Sequence, residues 1–200
     1  MLASRVRRGS GSKVGVPNYY VMPTDGDFSG TTNGTFQYIG TDEYVIIPNV
    51  IKGVVITKTN NMFNGKAISG VANLDANIVD VSRMFRNSPS TGHLELCYFS
   101  FANLEYANWM FNLSKFSSID LDGFEAPNIN PYDSGIGGMF HFAQNLTEID
   151  ISKFNATSIT TGVFNTFAYT AKTVYVRSLA DKTNLLQLQG SDQVNNWIIR

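Results

Sequence analysis

Asp120, Asp122 and Asp150 are the residues whose type could do chemistry, because paired carboxylates flanking a bond are the apparatus of glycoside cleavage. Their setting points elsewhere. Asp120 and Asp150 sit inside a phrase that recurs as Leu94-Glu95-Leu96, Ile119-Asp120-Leu121, Ile149-Asp150-Ile151 and Val174-Tyr175-Val176. Repetition explains them more simply than a catalytic pair, so no catalytic residue is assigned and the chain is read as non-enzymatic. His93 and His141 have no carboxylate between them at metal-ligand spacing and read as structural or surface residues. Cys97 is the single cysteine, which excludes an intramolecular disulfide and a cysteine-based zinc site. Beside Leu96 it reads as a small, partly buried thiol. Gly135-x-Gly137-Gly138 has neither the preceding strand nor the following Lys-Ser or Lys-Thr of a phosphate loop. No cofactor and no metal are expected.

The totals bound the rest. Two hundred residues suffice for one sizeable domain. A net charge of -1 gives no global field favouring nucleic acid or an acidic membrane. Charged residues are sparse at 16%, and 14 phenylalanines dominate the aromatics. The composition suits a chain that stacks on itself or on others, as one of many copies in an assembly. No 18-residue apolar run is present, so no membrane insertion is expected. The first eight residues do not read as a secretory signal.

The elements that must position these residues come from a second repeat. Met62-Phe63, Met84-Phe85, Met110-Phe111 and Met139-Phe140 recur, with Val163-Phe164 as a worn fifth copy. A period of roughly 20–30 residues marks a solenoid. The expected fold is an α/β repeat: a leucine-rich-repeat-like solenoid of short parallel strands over residues 36–200. The Met-Phe pairs would form helical turns pointing inward, and Phe99, Phe124 and Phe154 a ladder. Phe36–Ile39 and Tyr44–Ile47 would pair as an N-terminal hairpin cap. Ser178 would open a C-terminal helix, followed by a last strand near Trp197. Residues 130–138, with Pro131 and three glycines, would bulge as a loop.

In each strand phrase the apolar pair points inward, so the residue between points out. Glu95, Asp120, Asp150 and Tyr175 would form one stacked row, with Cys97, Asp122, Ser152 and Arg177 next. The candidate recognition face is Glu95, Asp120, Asp122, Asp150, Tyr175 and Arg177. It would meet a cation, a basic partner or sugar hydroxyls. Residues 1–35 read as a flexible basic arm, with Arg5, Arg7, Arg8, Tyr19 and Tyr20 as the means of docking to a partner.

Val-Ser-Arg-Met-Phe at 81–85, Phe-Ser-Ser-Ile-Asp-Leu-Asp-Gly-Phe at 116–124 and Leu-Thr-Glu-Ile-Asp-Ile-Ser-Lys-Phe at 146–154 resemble the BspA-type leucine-rich repeats of bacterial surface proteins. The likeness covers about residues 36–180. It implies adhesion and recognition. Without a recognisable export signal, lipid anchor or wall-sorting tail, the expected member is a phage or prophage structural protein. Its place would be a virion tail, baseplate or head surface, mediating assembly or host-surface attachment. It would join other virion proteins through the arm and possess a host glycan or protein ligand. The alternative is a bacterial cell-surface adhesin.

Overall fold

The computed structural model describes residues 16–30, 35–73, 77–121, 124–160, 163–170, 173–188 and 191–200. At its centre is a column of phenylalanine rings. Phe63, Phe85, Phe111, Phe140 and Phe167 are at most 1% exposed. Successive centroids lie 5.8, 5.6, 5.5 and 5.9 Å apart, with rings within 14° of parallel. Tyr38 closes one end edge-on at 5.5 Å and Trp197 the other at 5.4 Å. Parallel rings at this spacing add about 0.5–1.5 kcal/mol per contact to the burial of each ring.

The column exists because four of its five rings ride on the same tight turn. The amides of Met62, Met84, Met110 and Met139 donate to the carbonyls three residues earlier, of Thr59, Val81, Ala107 and Ile136. No helix follows, because the residues two before and two after each ring are left-handed. Arg83 and Asn87, Trp109 and Leu113, and Asn165 and Tyr169 all have φ between 55° and 60°. Left-handed residues interrupt helical hydrogen bonding, and the freed amides bond to the next turn instead. Phe63 N donates to Met84 O, Phe85 N to Met110 O, Phe111 N to Met139 O and Phe140 N to Thr166 O, at 2.8–3.0 Å. The fifth copy is therefore Thr166-Phe167; Phe164 is 52% exposed and outside the column.

The strand phrases form short parallel strands. β3 (Tyr44–Ile46), β6 (Gly70–Ala72), β7 (His93–Cys97) and β8 (Ser118–Ile119) make one sheet in that order. β9 (Glu148–Ile151), β10 (Thr173–Val176) and β11 (Asn196–Ile199) make a second. β1 (Phe28–Gly30) pairs antiparallel with β2 (Phe36–Tyr38), and β4 (Val50–Ile51) with β5 (Val54–Val55). Helices are few: α1 (Asp133–Ile136), inside the expected loop at 130–138, and α2 (Leu179–Leu186), with Ser178 accepting from the Asp181 amide at its start.

These findings correct the expected fold class. The strands are divided among several small sheets, two parallel and two antiparallel, rather than one curled solenoid sheet. The Met-Phe segments are turns, so the α/β alternation of a leucine-rich repeat is lacking. The expected N-terminal hairpin is also overturned: β2 pairs with β1, whereas β3 pairs with β6 and bridges to Val21. The anticipated ladder of Phe99, Phe124 and Phe154 gains Phe101, which stands between Phe99 and Phe124 at 5.0 Å from each. Among the described residues no helix is long and apolar enough to cross a membrane.

A candidate recognition site on the strand face

The alternation of β7, β9 and β10 places Leu94, Ile149, Ile151, Val174 and Val176 in the core and leaves Glu95, Asp150 and Tyr175 half-buried on the outer side. Parallel register sets Asp150 beside Tyr175. Asp120 follows β8, and its amide donates to Leu94 O, which brings it next to Glu95. Glu95 and Asp120 are thus neighbours, and Asp150 neighbours Tyr175; among the described residues no strand ladder joins β8 to β9. Asp122, Arg5, Arg7 and Arg8 lie outside the described residues.

Around Asp150 the site is filled by the chain itself. The Arg200 guanidinium pairs with Asp150 Oδ2 and lies 3.4 Å from the centroid of the Tyr175 ring. Carboxylate and aromatic face together hold one cation. The Ser152 amide donates to Asp150 Oδ1 at 2.9 Å. Partial burial pushes the Asp150 carboxyl up, but the Ser152 hydrogen bonds and Arg200 outweigh it and leave it below the usual range. Arg177 turns away from this group. Its Nε donates to Asp181 Oδ2 at 3.0 Å and an Nη to Asn155 Oδ1 at 2.9 Å, tying α2 to the preceding turn.

Around Glu95 the neighbours are tyrosines. Tyr19 donates its hydroxyl to Glu95 Oε2 at 3.0 Å. Tyr19, Tyr20 and Tyr44 form a three-ring cluster with centroids 4.8–5.5 Å apart. The cluster lies over Gly70, the register partner of Glu95. A Cβ there would stand 2.5 Å from the Tyr20 hydroxyl and 2.6 Å from Tyr44, so only glycine fits. Tyr19 and Tyr20, within the expected arm, are engaged with the chain's own sheet. Val21 extends that engagement through its hydrogen bond to Tyr44 O.

At the C-terminal end of β7 lies a cleft of about 360 Å³ lined by Glu95, Cys97, Tyr98, Phe99, Phe101 and Asp120. Burial, then the Glu95 and Asp120 charges, push the Cys97 thiol up, so it stays protonated and a poor nucleophile. Tyr98, with φ 53°, is 55% exposed at the rim.

Sequence reasoning missed Arg200, Tyr98 and the cleft. The available signal for Arg200 was a basic residue directly after the expected last strand.

A second exposed group lies on the turn side. Trp109 meets the His141 ring edge-on at 5.4 Å, and Phe142 stacks on Tyr169 at 4.5 Å. Trp109 lies over Gly138, whose φ of 61° and lack of a Cβ admit the indole. Burial pulls the His141 imidazole down, so it is neutral near pH 7.

No family model, no curated protein and no solved structure matches the chain.

Proposed function

We propose that the chain is a non-enzymatic structural and recognition module, built into a phage virion at the tail, baseplate or head surface, where it mediates assembly or host attachment. The observation that supports this reading is the way outward side chains are fixed. Asp150 and Tyr175 are set by strand register and already hold a guanidinium, while Glu95 is set by the register of β7 on β6 beside an open cleft that Asp120, its amide on Leu94 O, also lines. Side chains mounted on paired strands are held more firmly than on loops, which recognition requires. The low charge and the ring column suit a rigid module used in many copies. The phage setting rests on the repeat phrases and their resemblance alone.

The test is fractionation. Particles purified from a lysate on a density gradient should carry the chain, detected by mass spectrometry in constant ratio to the major capsid protein. Recovery on the surface of intact bacteria and not in particles would replace this reading with a cell-surface adhesin.

A further inference from the structure

We infer that the aromatic group on the turn side, Trp109, His141, Phe142 and Tyr169, is a binding site for a neutral glycan, with the His141 Nε2–H donating to the sugar and the rings flanking it. The inference deepens and rests on the recognition reading above: it names a ligand class and moves the ligand from the strand face to the turns.

The first argument comes from residue choice. The position two after a column ring is left-handed at Gly65, Asn87, Leu113, Phe142 and Tyr169, with φ between 55° and 72°. The stacking of turns demands the conformation and not any particular side chain. Glycine and asparagine adopt it most readily, and the first two copies carry them. The last three carry large apolar residues, which adopt it at a cost. Burial does little to offset that cost, since Leu113 is 43% and Tyr169 52% exposed. Strained apolar residues left open to solvent point to a contact outside the chain.

The second argument is independent of the first, and concerns how His141 is held. Arg86 Nε donates to Asn112 Oδ1 at 3.0 Å, which fixes the amide with its Nδ2 toward His141. That Nδ2 donates to His141 O at 2.8 Å and lies 3.3 Å from Nδ1. Nδ1 is therefore the acceptor, and the proton of the neutral ring sits on Nε2. Asn112 is 1% exposed, so this relay is anchored in the core. Among the described residues nothing accepts from Nε2. The result is a fixed, uncharged donor placed between the turn of Trp109 and the turn of Tyr169, whose rings lie 5.4 and 6.1 Å from the imidazole.

A pyranose matches both features. It sets a face of C–H groups against an aromatic face, the negative side of the ring quadrupole, and its hydroxyls accept from an N–H. An anion would meet a neutral imidazole, with the Arg86 Nε already on Asn112. A protein partner buries about 800 Å² on each side. The apolar row is short for that, because it stops at Leu113 and gives way to Asn87 and Gly65.

The test is an NMR titration of the full chain with cellotriose, maltotriose and tri-N-acetylchitotriose. At least one should give saturable shifts centred on Trp109, His141, Phe142 and Tyr169, and proton–nitrogen spectra of the free protein should show His141 as the Nε2–H tautomer. His141→Phe keeps a ring beside Trp109 and removes the donor. It should weaken the sugar about tenfold, as loss of one hydrogen bond predicts. Tyr169→Asn restores a residue suited to the left-handed position. It should keep or raise the urea midpoint while weakening the sugar by a similar factor. A clear fall in that midpoint would show that the ring serves the fold, and would overturn the inference. So would undiminished binding by either variant, absence of saturable shifts with all the sugars, or an Nδ1–H tautomer. Tighter binding of oligodeoxythymidine at the same residues would replace the glycan by nucleic acid. Movement of those resonances with protein concentration alone would replace it by a second copy of the chain. No particle enters the experiment, so its failure would leave the virion assignment to be judged by fractionation alone.

Discussion

Phe111 sits between Phe85 and Phe140, with rings 5.6 and 5.5 Å away and near-parallel on both sides. Truncation to alanine opens a void that neighbouring rings cannot close, because each is fixed by its own turn and by the backbone bonds between turns. Phe111→Ala should lose about 3–5 kcal/mol in urea melts. A midpoint equal to wild type would mean that the column is not part of the load on the fold. Phe164→Ala is the contrasting case. Its ring is half-exposed and outside the column, so the same measurement should show a change of about 0.5 kcal/mol or less. The inward direction of the Met-Phe pairs was legible from their apolar recurrence. The fifth copy was not. Phe164 and Phe167 lie three residues apart with no local feature to choose between them, and Thr166 replaces the methionine that marks the other copies. The choice is made by Phe140, whose ring and amide both reach the later pair.

At the scale of elements, α2 shows how one buried acid fastens a helix. Asp181 is 1% exposed and accepts from the Ala156 amide, the Ser178 hydroxyl and Arg177. Burial pushes its carboxyl up, but the hydrogen bonds from Ser178, Arg177 and Ala156 prevail and hold it below the usual range. The folded state therefore binds a proton less readily than the unfolded chain. This stability is fully present above the unfolded carboxyl value of about 3.9 and is lost as pH falls from there through the depressed folded value. Wild type should lose urea resistance as pH falls from about 4 toward 2. Asp181→Asn should be weaker at pH 7 and decline less over that interval. An identical acid profile in the variant would remove Asp181 as the source.

Elements also show where sequence reading stops. The strand phrases were legible because alternation is local. Their partners were not: Phe36–Ile39 and Tyr44–Ile47 look like a hairpin, yet each finds its ladder elsewhere, since pairing is decided by long-range packing. The left-handed residues were also hidden. Trp109, Leu113 and Tyr169 are unusual choices for that conformation, and only the stacking of turns imposes it. For the candidate site, the outward positions of Glu95, Asp120, Asp150 and Tyr175 followed from alternation. Their partners lie far along the chain: Tyr19 is 76 residues from Glu95, and Arg200 is 50 from Asp150. The N-terminal boundary can be tested on the same ground. Removing residues 1–15 leaves every described contact in place and should leave the urea midpoint unchanged. Removing 1–22 takes away the Tyr19–Tyr20 cluster and the Val21 bridge on the edge of β3, and should lower it. Equal midpoints for the two truncations would show that the tyrosine cluster adds no stability.

Over the whole molecule the two parallel sheets end against each other at β8 and β9, where no strand ladder joins them among the described residues. Other layers cross that boundary. Phe111 stacks on Phe140, Phe124 touches Phe154 at 5.3 Å, and the amides of Ala107, Trp109, Phe111 and Leu113 donate to Gly135, Gly137, Met139 and His141. Buried apolar residues form one cluster from Phe28 to Val194. Cooperative unfolding depends on how much stability a boundary carries relative to the parts it joins. Here the rings and turns carry it while the strands do not. The intact chain should therefore unfold in one transition, with ring fluorescence and backbone circular dichroism coincident. Phe140→Ala removes a ring on the C-terminal side of the boundary. It should lower the midpoint and also separate the two signals, because Trp197 reports the C-terminal sheet while Trp109, packed on Gly138 and His141, reports the joint itself. Reporting each tryptophan alone, through Trp109→Phe and Trp197→Phe backgrounds, should then give different midpoints. Coincident transitions in both backgrounds of Phe140→Ala would show that the turn ladder alone couples the halves. A split already present with Phe140 intact would show that the missing strand pairing, and not the ring column, governs how the molecule comes apart.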